Sequence, residues 1–191
     1  AMAEVHAMHP RLRLRSLESP YEELTAGLLS GRIDFILGAL RPQATQDLAT
    51  EPLFEDRISI IVRAEHPLAR RRKLTLRDLD GYPWVLSRAG SPLREALDTV
   101  FRKQGLPQPQ PAVETGDLAL VRGLLLRGDM VTALSTYQLH YEIEAGWLRA
   151  LDLPMPDMAR GIGLTTRAGA RLSPGADALI QAIRRLSHDW R

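Results

Sequence analysis

Leu24 and Leu28 fall one helical turn apart, and a crowded apolar run then follows at Ile33, Phe35, Ile36 and Leu37. The first spacing predicts a helix with one buried face, and the second predicts a strand covered on both faces. Gly31 stands between them, where a helix can end in the left-handed conformation. Gly38, Ala39, Leu40 and Arg41 form the loop after the strand, and Pro42 closes it. Helix, turn, strand and loop make one unit of an open α/β sheet. Ligands in such sheets bind beyond the C-terminal ends of the strands, so residues 28–42 propose a fold and a site together.

The same patterns continue along the chain. A short helix from Ala3 stops at His9 and Pro10. Residues 12–17 alternate leucine with arginine like a strand with one exposed face. Ser19-Pro20-Tyr21-Glu22 has the form of a capping box with proline at the first helical position. Residues 48–62 read as two short strands around Glu55 and Asp56. Turns and short helices follow at His66-Pro67 and Thr75–Gly81, and then a strand at Trp84-Val85-Leu86. Ser91 and Pro92 open a helix with Leu93, Leu97, Val100 and Phe101 on one face, and Gly105 ends it. Three prolines within residues 106–111 predict an extended connector. Thr115-Gly116-Asp117 caps a leucine-rich helix ending at Gly128, and Met130–Leu134 reads as a strand. Ser135-Thr136-Tyr137-Gln138 is a second capping box, for a helix ended by Gly146. Strands follow at 147–151 and 161–166, and Ser173-Pro174 opens a final helix with Leu179, Ile183 and Leu186 facing inward. Alternating strands and helices predict an α/β protein with a substantially parallel sheet.

Composition adds limits. At 191 residues, 45% hydrophobic and 25% charged, the chain can bury a full core, in one domain or two small lobes. No apolar run is long enough to cross a bilayer, and no basic segment followed by an apolar stretch marks a secretion signal. The chain has no cysteine, which excludes disulfides and thiolate metal sites. The net charge is +2. The dense basic cluster at residues 70–73 has no interleaved aromatics and no recognition helix beside it, so it reads as a solvated turn.

Candidate chemistry concentrates at helix starts. Ser19, Ser91, Asp117 and Ser135 each precede a helix and follow a strand end. Free N–H groups and the positive end of the helix dipole make such ends receptive to anions. The clearest is residues 87–92, where Gly90 lets a ligand approach, Ser91 offers a hydroxyl and Arg88 a charge. The plainer reading is that Ser91 caps its own helix and Arg41 is solvated. His6 and His9 have metal-compatible spacing but no third ligand, and read as surface residues. No nucleophile elbow or lysine-bearing phosphate loop is present, and Asp34 is expected to satisfy local backbone donors. These residues propose no catalytic group, metal or cofactor.

One ordered set of motifs spans nearly the whole chain from Leu12. Gly31, Asp34 and Gly38 follow the pattern "helix, Gly, x, x, Asp, apolar strand, Gly". Glu51-Pro52-Leu53-Phe54-Glu55-Asp56 and His66-Pro67-Leu68-Ala69 follow "EPLxxD…HPLA". Ala89-Gly90-Ser91-Pro92-Leu93-Arg94 is close to "PGSxxR", and residues 128–134 are close to "GxGIALLP". In these the chain resembles the effector-binding domain of LysR-type transcriptional regulators, and within them regulators of sugar or aromatic-acid uptake and catabolism.

The resemblance implies a fold like type 2 periplasmic binding proteins: two Rossmann-like lobes joined by two crossover strands. Lobe I would be residues 1–62 plus 163–191, and lobe II residues 63–162. A small, anionic effector would be held in the cleft between them, at Ser19, Gly38, Ala39, Leu40, Arg41, Arg88, Gly90, Ser91, Thr115, Asp117 and Ser135. It further implies a cytoplasmic regulator, not an enzyme, working as a homodimer or homotetramer. DNA would be contacted only through an N-terminal helix-turn-helix that this chain lacks. The alternative is a stand-alone solute-binding protein of a transporter, which a secretory signal would favour. Three departures stand out: the DNA-binding domain and the first strand of lobe I are absent, and Asp129 and Ser135 replace an apolar residue and a proline.

Overall fold

The computed structural model describes residues 1–41, 46–155 and 158–188; Pro42 lies outside the described residues. The chain divides into two compact units, Ala1–Glu55 with Arg160–Arg191, and Asp56–Ala159. Along the chain come α1 (Met2–Met8), α2 (Tyr21–Leu29), β1 (Ile36–Ala39) and β2 (Leu48–Arg63). Next are β3 (Trp84–Leu86), α3 (Pro92–Lys103), β4 (Pro111–Glu114), α4 (Leu118–Arg127) and β5 (Val131–Ser135). The chain then forms α5 (His140–Glu144), β6 (Leu148–Ala150), β7 (Ala159–Arg167) and α6 (Pro174–Ser187), with short 3₁₀ turns at Pro67–Arg70, Leu76–Leu79 and Thr136–Leu139.

In the second unit the strands run β6-β2-β5-β3-β4. The sheet is mixed rather than substantially parallel: β3 is parallel to β4 and β5, while β2 is antiparallel to β5 and β6. The alternation of side chains explains why all of β3 is buried. Trp84 and Leu86 join Leu97, Val100 and Phe101 of α3 on one face, whereas Val85 joins Val121 and Leu125 of α4 on the other. The rings of Trp84 and Phe101 meet edge-on at 6.0 Å. Fully burying each of these large side chains contributes about 1.5–3 kcal/mol. Thr132, facing α4, is buried because its hydroxyl donates to Val85 O at 2.8 Å.

The first unit orders its strands β1-β7-β2, with β1 antiparallel to β7. Leu24, Leu28 and Ile36 pack on one face, and Phe35, Leu164, Ile180 and Ile183 on the other. Gly163 faces Gly38 in the ladder. A Cβ on Gly163 would stand 2.2 Å from Glu51 O, whereas one on Gly38 would meet nothing within 4 Å. Arg184 of α6 grips Glu51 with two hydrogen bonds, at 2.8 and 2.5 Å, which hold the Glu51 carboxyl below its usual range.

Several expectations need correction. Residues 12–15 keep their alternation, Leu12 and Leu14 half-buried between exposed arginines, but Leu17 is exposed and residues 12–17 make no ladder among the described residues. A strand persists only where a neighbour takes its N–H and C=O groups. The residues around Glu55 and Asp56 do not separate two strands, because β2 runs through them unbroken. The connector after α3 ends in a strand, β4, at the edge of the sheet, where its first residue, Pro111, is tolerated. Strand β1 starts at Ile36 because Arg32 and Ile33 both donate back to Gly27 O. Ser19 makes no capping box; its hydroxyl donates to Glu23 Oε2 at 2.6 Å, and Pro20 stands at the N-cap of α2. Leu186 is exposed, and α6 buries Ala176, Ile180 and Ser187 instead.

His66 is fully buried. Its Nδ1 accepts from Leu68 N at 3.1 Å, and its Nε2 faces Asp129 O at 3.4 Å and donates to it. Burial pushes its pKa below the ordinary 6.5, outweighing the opposing pull of Asp129.

Two outcomes follow. Gly163→Ala forces the ladder apart and should lower stability by about 1–3 kcal/mol in denaturant titration, whereas Gly38→Ala should be tolerated. Because the unfolded chain protonates His66 more readily than the folded one, its contribution is full above about pH 6.5 and declines as pH falls toward the lowered folded value. Thermal melts from pH 8 to 5 should show this slope, and His66→Gln should flatten it.

Candidate functional site

The parallel arrangement of β4, β3 and β5 places their C-terminal ends along one edge of the second unit, the edge where open α/β sheets hold ligands. Each strand runs directly into a polar turn and a helical segment. After β3 the chain passes Ser87, Arg88, Ala89 and Gly90, whose φ is +76°, to Ser91. Ser91 caps α3 by accepting from Arg94 N at 3.4 Å, and its hydroxyl lies 2.9 Å from that of Ser87. After β4, Thr115 N donates to Leu86 O at 2.9 Å, binding the two loops together. Thr115 Oγ1 accepts from Asp117 N, and Asp117 accepts from Ala119 and Leu120 N at 2.8 and 3.2 Å. After β5, Ser135 accepts from Tyr137 N at 3.1 Å and donates to Asp56 Oδ1 at 2.6 Å.

Arg88, Gly90, Ser91, Thr115, Asp117 and Ser135 therefore all lie on this edge. Arg88 is exposed and makes no ion pair among the described residues, so its charge is available to a ligand. Asp117 is spent on its own helix. Ser135 is 1% exposed, and its hydroxyl is engaged both as donor and as acceptor.

Ser87 lies in the loop that the sequence singles out, though without a role of its own there, while Glu114 and Arg94 escape the sequence as site residues. Glu114, the last residue of β4, accepts from Ala89 N at 3.3 Å, and β4 itself was missed. Arg94 of α3 is buried. It pairs with Asp98 at 3.0 Å and donates to Pro109 O at 3.1 Å, which pins the connector leading to β4.

Ser19, Gly38, Ala39, Leu40 and Arg41 belong to the first unit. The Arg41 guanidinium lies 4.9 Å from the ring centre of Tyr21, which brings the loop after β1 to the start of α2, two residues from Ser19. Leu40 N donates to Gly161 O at 2.8 Å, fixing that loop to β7. Apart from these residues, a broad open groove of about 880 Å³ lies between α1 and the ladder-free residues 12–15, lined by Met2, His6, Leu12 and Leu14 with Arg13 and Arg15. Among the described residues no three histidine or carboxylate side chains gather as metal ligands, and no helix is long and apolar enough to cross a membrane.

Comparison with known proteins supplies the context. The family model described as the LysR substrate binding domain matches residues 1–187. The transcriptional regulator GalR of Pseudomonas putida is 46% identical over 187 residues, covering 97% of this chain and 47% of its own length. The chain spans about half the length of the curated relatives it matches. The CcmR regulatory domain of Synechocystis, solved in complex with 2-PG, superposes with a TM-score of 0.80 at 19% identity, covering 97% of this chain and 88% of that one. The effector-binding domain of QuiR, in complex with shikimate, superposes with a TM-score of 0.73 at 18% identity over 98% of this chain and 88% of that one. The fold is thus the type 2 periplasmic-binding-protein-like one.

Proposed function

Because the chain belongs to the LysR substrate binding domain family, we infer that it is the ligand-sensing part of a transcription regulator, acting on a small, hydroxylated anion. The observation that carries this reading is the edge formed by the ends of β4, β3 and β5. It joins the start of α3, the paired hydroxyls of Ser87 and Ser91, and the exposed Arg88. A carboxylate would take the N–H groups and dipole at the start of α3, with Arg88 adding charge. The Ser91 hydroxyl would donate to the same carboxylate, and hydroxyls of the ligand would be read by Thr115, with Gly90 allowing close approach. Asp117 and Ser135 would shape this edge through the turns they hold. In the first unit, Ser19 and the loop of Gly38, Ala39, Leu40 and Arg41 would form a candidate contact of that unit's own. Shikimate, held by QuiR, is a hydroxylated carboxylate of this kind. Binding would shift the population between conformers of the domain, and the rest of a longer, cytoplasmic regulator would carry the response to DNA.

The regulator would work as a homodimer. Helix α4 turns Leu120 and Leu126 outward, 46% and 40% exposed. Between them Gly123, where a Cβ would meet nothing within 4 Å, weakens the helix with no return from its own fold. A second copy lying close against this face would account for all three residues.

Thermal-shift screening against hydroxylated carboxylic acids should find a stabilising ligand. Ser91→Ala should then weaken its binding about 10- to 100-fold in calorimetry, the loss of one charged hydrogen bond. Unchanged affinity in both Ser91→Ala and Arg88→Ala would overturn the site. In analytical ultracentrifugation the chain should sediment as a dimer and Leu120→Lys as a monomer; a monomeric parent would remove the dimer reading.

A further inference from the structure

Ladder pairing between β2 and β5 extends from Ile61–Thr132 to Ile58–Ser135. Two residues beyond its end, the Ser135 hydroxyl reaches Asp56 Oδ1 at 2.6 Å, with Asp56 only 2% exposed. That distance is typical of a hydroxyl donating to a charged carboxylate. Asp56 is also the first residue of the second unit, and Glu55 ends the preceding stretch of the first. The same hydroxyl accepts from Tyr137 N, in the turn that follows β5.

We infer that Ser135 is a positioning residue whose hydroxyl latches the crossing strand β2 to the ligand edge of the second unit. The latch carries the attachment of β2 to β5 two residues past the last pair of their ladder, to Asp56. It also joins two events through one oxygen. A ligand that moves the turn at residues 136–138 changes the acceptor side of Ser135, and Asp56 feels the change on the donor side. Burying a carboxylate is expensive, and an apolar pair of similar volume would hold two strands together at least as well. The polar pair is therefore better explained by directed coupling than by adhesion. The role in sensing rests on the reading of this edge as the ligand site; the latch itself does not.

The test is hydrogen exchange followed by mass spectrometry on the unliganded chain. Ser135→Ala should speed exchange at residues 56–58 and at Tyr137 about tenfold, with α3 unchanged, and Ser135→Thr, which keeps the hydroxyl, should restore protection. Asp56→Asn, which keeps an acceptor without its charge, should fall between, and stands in if Ser135→Ala does not fold. Wild-type exchange at residues 56–58 in Ser135→Ala, equal exchange in the Ala and Thr variants, or uniform acceleration throughout the chain would each overturn the latch. Because no ligand is used, such a failure leaves the ligand site standing. Loss of the site, seen as unchanged affinity in the Ser91 and Arg88 variants, leaves the latch measurable.

Discussion

Both sheets depend on one strand. The sixteen residues of β2 carry the β7 ladder of the first unit and the β5 and β6 ladders of the second. Its side chains must therefore serve two cores from one continuous strand. Leu53 enters the core under α6; Ile58, Ile60 and Val62 enter the core under α3, and Ile61 faces α4. A one-residue slip would turn each of these to the wrong face, so the register of the first unit constrains that of the second. Gly163 belongs to the same constraint: β7 approaches Glu51 of β2 more closely than any side chain would allow.

What the sequence disclosed and what it hid divide by range of interaction. Ser91, Asp117 and Ser173 act as helix caps, and Gly31, Gly81, Gly105 and Gly146 take positive φ at the ends of helices and turns. These depend on neighbours a few residues away, so local spacing exposes them. The continuity of β2, the strand character of Pro111–Glu114 and the unpaired state of residues 12–17 depend on ladders made or not made with distant segments, and residue pattern alone does not decide them. The ligand edge divides the same way. Ser91, Thr115 and Asp117 were legible as strand-end polar residues. The engagement of Ser135 with Asp56, 79 residues away, and of Glu114 with Ala89, 25 away, was not.

The three carboxylates of that edge are already occupied within the protein. Asp117 faces the first amides of α4, Glu114 an amide of the loop before α3, and Asp56 the hydroxyl at the end of β5. Positive potential at the helix starts is thereby partly neutralised before any ligand arrives. The start of α3 differs, being capped by a neutral hydroxyl with an exposed arginine three residues ahead of it. The cap itself adds no negative charge there, and Glu95 is the acidic residue of that first turn.

The division of the chain into an uninterrupted second unit and a first unit assembled from both ends bears on biosynthesis. Everything the second unit needs has been synthesised once Ala159 is added. The first unit must wait for β7 and α6, closing a long loop that an already folded neighbour shortens. Until α6 arrives, the apolar face of Leu53, Phe54 and Leu164 is without its cover. Until then that face is open to pairing with other apolar surfaces, the general hazard of an incompletely folded chain.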